Sequence, residues 1–173
     1  DIGFTDDIEA ASSDWKRVYG TIAHNSLDEI NKRIIDKRND DSIEEKSVSI
    51  KEMDDIIDNE FKKYEEYEFT ESHVSSIKDH IHKFYDNFAS NVFISDSEYS
   101  FRIRQEDYDL VGSIDLIYQE DDDSLSIIDF KVTTNAEANM EKYKKQLATY
   151  KLALKMVDDK DYNDKRIDKL SIY

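Results

Sequence analysis

The chain has 173 residues, with 41 Asp and Glu against 24 Lys and Arg, a formal net charge of −17. That length suits one domain around one core, and a 38% hydrophobic share with 12% aromatics is enough to build it, which excludes wholesale disorder. The charge excludes a basic DNA-coating protein and a Lys/Arg-driven membrane-surface binder, and no run reaches the roughly 18 apolar residues of a bilayer span. With no cysteine there is no disulfide frame, no thiolate zinc site and no iron–sulfur cluster, a composition that fits a reducing cytoplasm. Asp1 to Asp14 lacks the basic and apolar regions of a signal peptide, and a chain opening without Met is expected to be a fragment or a processed form.

Zero Pro and three Gly predict few breaks and long regular elements. From Asp14 to about Asp36, Trp15, Val18, Ile22, Leu27, Ile30 and Ile34 recur at helical spacing, with Ser12, Ser13 or Asp14 as the expected cap. Asn39 to Ser42 reads as a loop. A second helix is expected from about Ser42 to Tyr67, and a third carries Val74, Ile77, Ile81, Phe84 and Phe88 on one face. The period then changes to two: Tyr99, Phe101 and Ile103 alternate with Ser100, Arg102 and Arg104. Asp109 to Gln119 and Leu125 to Thr133 are also strand-like. A long helix follows from about Ala136 to Val157, then a short strand around Leu170 to Ile172. This order predicts an α+β or mixed α/β domain spanning 1–173.

The second hairpin carries the chemistry. With Asp121-Asp122-Asp123 as a three-residue loop, Glu120 pairs with Ser124 and Asp115 falls opposite Asp129. Directly opposed residues have Cβ atoms about 4.5–5.5 Å apart. Lys131 shares that face, and Ile114, Leu116, Ile128, Phe130 and Val132 form the apolar other one. Two facing carboxylates repel unless protonated or bridged, and a hard divalent cation such as Mg²⁺ or Mn²⁺ suits oxygen ligands. A two-residue turn at Asp122-Asp123 would instead set Phe130 opposite Asp115. A strand face that is simply charged and solvated needs no metal.

Gly112-Ser113-Ile114-Asp115, then Asp129-Phe130-Lys131, then Gln146-Leu147-Ala148-Thr149-Tyr150 resemble the G-x-x-D, D-x-K and Q-x-x-x-Y motifs of the RecB-type PD-(D/E)XK nucleases. His24 lies in the first long helix, where that branch carries a metal-binding His. The resemblance covers roughly Asp14 to Tyr173, with about residues 40–91 as an inserted acidic helical region. It implies a restriction-endonuclease-like core, in the order α-β-β-β-α-β around a mixed central sheet. It also implies a Mg²⁺- or Mn²⁺-dependent nuclease acting on DNA, in repair or recombination.

The resemblance assigns roles as well. Asp115, Asp129, His24 and the Phe130 carbonyl would hold the metal. Lys131 would act on the scissile phosphate or the attacking water, and Gln146 and Tyr150 would support the site and the nucleic acid. Ser113 departs from the Arg that relatives often carry in G-R-x-D. The missing cysteines point to cluster-free domains like those at the C-terminal end of UvrD/Rep-type helicases. No phosphate-cradling G-x-x-x-x-G-K-[ST] occurs here, so a helicase motor would lie elsewhere in a longer chain or in a partner. The alternative is a catalytically silent DNA-binding or docking module of such an assembly.

Charge is unevenly spread. Between Asn139 and Val157 five Lys, Lys142 and Lys145 among them, face one Glu, and phosphate contacts are expected there. Asp40 to Glu71 carries 13 acids and 4 Lys, for which a solvated helix pair is the expected account. His73, His80 and His82 have no motif around them and are expected to be surface polar residues.

Overall fold

The computed structural model describes residues 3–89, 92–120, 122–132 and 137–173. Asp121, Thr133 and Ala136, where a loop and two element boundaries were expected, lie outside the described residues, as does Asn91, the end of the expected insertion. The first helix, α1 (Gly3–Asn39), begins well before Asp14, so Ser12, Ser13 and Asp14 are interior to it rather than its cap. No Pro interrupts that stretch, and Gly20 is its one interior glycine, which a helix tolerates at about 1 kcal/mol.

The second helix, α2 (Ile50–Lys62), is shorter than the pattern suggests. Ser49 caps it reciprocally with Glu52: Glu52 N donates to Ser49 Oγ (3.2 Å) and Ser49 N to Glu52 Oε2 (2.9 Å). Such a box contributes about 1 kcal/mol and fixes the start. Upstream, side chains compete for the backbone: Asp40 Oδ1 takes the Ser42 N–H (2.9 Å) and Glu45 Oε1 the Ser47 N–H (2.9 Å), which holds 40–47 in turns. A 3₁₀ turn at Glu65–Tyr67 leads into α3 (Glu71–Asn87). There Thr70 and His73 form the same reciprocal cap, which gives His73 a structural task.

Strands β1 (Phe93–Arg104), β2 (Asp109–Gln119) and β3 (Leu125–Asp129) form an antiparallel meander. Helix α4 (Met140–Met156) then crosses over to β4 (Ile167–Ile172), which pairs parallel to β3 and completes a mixed four-stranded sheet in the order β1-β2-β3-β4. The pairing Leu116↔Ile128 and Gln119↔Leu125 is the register of a three-residue loop, and Glu120 N donates to Ser124 O (2.9 Å). The two-residue alternative is thereby excluded.

β3 ends at Asp129 rather than Thr133. The reason is local: Phe130 N donates not to a strand carbonyl but to Asp115 Oδ2 (2.7 Å). β4 carries the alignment onward, since Tyr173 N donates to Asp129 O (3.0 Å) and Lys131 N to Tyr173 O (2.9 Å).

One sheet face, with Ile94, Leu116, Tyr118, Ile128 and Phe130, packs against Ile22, Ile30, Ile57, Ile81 and Phe84 of α1, α2 and α3. The other, with Phe101, Ile103, Ile117 and Ile127, packs against Leu147, Tyr150, Ala153 and Leu154 of α4. Ile114 belongs to this second cluster and not with Leu116 as strict alternation implied. The break lies across from it. Ser97 partners Leu116 and Tyr99 partners Ile114, while Glu98 between them takes φ 50°, in the left-handed region. No helix among the described residues is long and apolar enough to cross a membrane.

Candidate active site

Asp115 sits near the middle of β2, Glu98 across from it on β1, and His24 on the face of α1 that covers this end of the sheet. One ligand atom from each of the three lies within 4.8 Å of the others, and His24 Nδ1 is 3.7 Å from Asp115 Oδ2. Glu98 reaches the group because of its left-handed backbone, a conformation that costs a non-glycine residue about 1–3 kcal/mol and tends to collect at functional sites. Two contacts brace it. Ser113 Oγ donates to Glu98 Oε2 (2.8 Å). The preceding Ser97 is tied to α1: its Oγ donates to Asp28 Oδ1 (2.8 Å) and accepts from Asn31 Nδ2 (3.4 Å), with Tyr85 OH donating to Asn31 in turn. Ser113, the departure from the Arg of related motifs, thus acts within the site as a hydroxyl donor.

Asp115 is 9% exposed. Burial pushes its carboxyl up to about 6; the His24 ring and the Phe130 N–H pull the other way, and the Asp129 and Glu98 charges add to the rise. Asp129, one residue beyond the last pair of the β2–β3 ladder, is 1% exposed, and Lys131 Nζ stands 2.6 Å from its Oδ2. The Lys131 ammonium is the counter-charge that this buried Oδ2 meets among the described residues. A carboxylate this buried needs such a cation beside it. Two crowded acids, a third at Glu98 and an imidazole are a donor set suited to a hard divalent ion. His24, Glu98 and Asp115 come together in one group; Asp129 is turned toward Lys131 beside it.

Phe130 is buried, its ring edge-on to His24 at 6.3 Å and to Phe84 at 5.2 Å, so its side chain anchors the strand end in the core. On α4, Gln146 Nε2 donates to Tyr150 OH (2.7 Å). Burial, and next the Asp129 charge, push the Tyr150 phenol up to about 12. Tyr150 also meets Phe101 edge-on at 6.2 Å, and Phe101 lies over Gly112, where a Cβ would come within 2.6 Å of the ring. The glycine of G-x-x-D thus leaves room for the aromatic ring packed on it, which a Cβ there would force to shift.

Lys142 and Lys145 are exposed, as are Lys144, Lys151 and Lys155. Helical spacing splits them: Lys142 is one turn before Gln146 on the flank toward the site, while Lys144, Lys151 and Lys155 lie on the opposite flank. Lys144 pairs with Glu141 (3.0 Å) and Lys155 donates to the Asn163 carbonyl (3.2 Å). A cleft of about 480 Å³ leads from His24 and Lys131 along α1, past Asn25, Thr21, Gly20, Arg17 and Lys16. Its cations come from α1 and β3's end, not from α4. His82 is bound to Asp54 (2.9 Å) and His80 to the Ser76 carbonyl (2.7 Å), away from the three-residue group.

Glu98 lies one residue before the Tyr99–Arg104 alternation by which the sequence marks this strand, so the pattern does not point to it. A four-residue turn at Gln105–Tyr108, pairing Arg104 with Asp109, would have placed Glu98 opposite Asp115. No curated protein matches the chain. The profile of the PD-(D/E)XK nuclease superfamily, however, matches residues 4–172, over the same helices, mixed sheet and acidic cluster, and the chain belongs to that superfamily.

Proposed function

We propose that this domain is a Mg²⁺- or Mn²⁺-dependent deoxyribonuclease. It would work as an exonuclease or on single strands and ends, in DNA repair or recombination, beside a helicase motor in the same longer chain or in a partner. The observation that carries the chemistry is the His24, Glu98 and Asp115 group next to a buried Asp129 and its ion-pair partner Lys131. In this reading His24, Glu98, Asp115 and Asp129 hold the cation, with the Phe130 carbonyl as a further donor. When bound, the cation lowers the pKa of a water and offsets charge developing on the phosphate. The protein's own part is to exclude bulk water around Asp115 and Asp129 and to fix Glu98 through Ser113. It also holds the Lys131 ammonium where a phosphate oxygen or the attacking water can take its hydrogen bond. Gln146 and Tyr150 close the α4 side of the site, and Lys142 and Lys145 lie on the flank where the strand would pass. Motor association rests on the resemblance to helicase-linked nuclease domains.

The test is cleavage of a labelled DNA oligonucleotide in Mg²⁺, in Mn²⁺ and in EDTA by the wild type and by Asp129→Asn, which keeps shape and removes the charge. Cleavage is expected with either metal, none with EDTA and none by a folded Asp129→Asn. Undiminished cleavage by that variant refutes the site.

A further inference from the structure

A second, more apolar cavity of about 640 Å³ opens beside the cleft and shares Lys16, Lys131 and Val132 with it. We propose that this cavity receives one unpaired nucleobase of the strand whose phosphate lies at Lys131, so that the site selects single-stranded nucleic acid. The inference rests on the nuclease reading for the position of the phosphate.

Its walls are aromatic. Trp15 and Tyr19 stack on each other with centroids 5.4 Å apart and planes 3° from parallel; Phe84 lies deeper, and Tyr173, 49% exposed, stands at the C-terminal end of the sheet. Flat rings around an apolar floor match the faces of a base, and such stacking tolerates any sequence because every base has a π-face. The mouth is cationic: Lys16 is exposed and Lys131 stands between cleft and cavity. An apolar space whose wall toward the cleft carries Lys16 and Lys131 fits a ligand with an apolar plate on an anionic backbone, which is a nucleotide within a strand. A paired base is held in its stack and cannot enter without first being extruded.

The experiment uses the full chain in EDTA at low salt, with short DNA oligonucleotides carrying 2-aminopurine at one successive position each. Ser76 is exposed on α3 and lines the cavity, so Ser76→Trp fills the mouth from the solvent side. The wild type is expected to quench the probe at one or two adjacent positions in single strands and not in the matching duplex. Ser76→Trp should bind single strands about tenfold more weakly, the loss of roughly one stacked base. If a thermal melt shows Ser76→Trp unfolded, Tyr173→Ala at its exposed position carries the same comparison. Quenching at no position, equal quenching in duplex, or unchanged affinity of the folded variant overturns the base cavity. Mn²⁺ added to the same samples separates the two readings: position-specific quenching with no cleavage keeps the cavity and removes the nuclease, and cleavage without quenching does the reverse.

Discussion

Burial holds the Asp115 carboxyl at about 6 in the folded chain, against an ordinary value of 3.8. Between those values the native state binds more protons than the unfolded state, so stability falls as pH rises through the window. Below about pH 4 the group is protonated in both states and contributes nothing to the difference. Above about pH 6 it is charged in both, and the whole penalty applies, roughly 3 kcal/mol at about 1.4 kcal/mol per pKa unit. Asp115→Asn removes the charge and keeps an oxygen for the Phe130 N–H. In EDTA the variant should therefore gain stability relative to the wild type by roughly 3 kcal/mol between about pH 4 and pH 7.5, or about 6–12 °C in Tm for a domain of this size. Carboxylates with the opposite shift, such as Glu52, held at about 2 by Lys37 and the Ser49 N–H, lose stability on acidification in both proteins and cancel in the comparison. The assay is denaturant unfolding of both chains across that pH range. A stability difference that stays flat, or that shrinks as pH rises, refutes the assignment of Asp115 as a strained buried acid. Saturating Mn²⁺, at about a hundred times its Kd, should add about 2.7 kcal/mol to the wild type and much less to the variant.

Lys131→Ala should abolish turnover while Mn²⁺ affinity by calorimetry stays the same or rises, because an ammonium 2.6 Å from Asp129 competes with the metal; intact turnover with lost Mn²⁺ binding would contradict this. Gly112→Ala drives a methyl into the Phe101 ring, and with that ring buried the cost should be about 1–3 kcal/mol, read as a lower Tm; an unchanged melt would show that the ring is free to move. Charge reversal at Lys142 and Lys145 should weaken binding of single-stranded DNA and flatten its salt dependence more than reversal at Lys144 and Lys151. The opposite ranking would put the strand on the other flank of α4.

The element order and the sheet register were legible because each rests on short-range rules. Helical spacing marked the four long helices, and alternation with a three-residue loop fixed Leu116 against Ile128. The Asp115 and Asp129 pair followed from the same register. What escaped was set by side chains acting on backbone. Ser49 with Glu52 delayed α2, and the Asp115 carboxylate took the Phe130 N–H and ended β3 early. Glu98 escaped for a related reason: a left-handed residue inside a strand violates the alternation by which strands are found. The clusters at α1 that border the cleft and the aromatic cavity needed three dimensions, since Trp15, Phe84 and Tyr173 are distant in sequence and meet only when β4 docks.

The parallel pairing of β4 against β3 also governs timing. Asp129 and Lys131 receive their flanking backbone bonds from Tyr173, more than forty residues further along the chain. During synthesis from the N-terminus, α1, the acidic helices and the β1–β2–β3 meander can all associate while those bonds are still missing. The strand bearing Asp129 and Lys131 becomes fully aligned only after α4 has crossed over and residues 167–173 have left the ribosome.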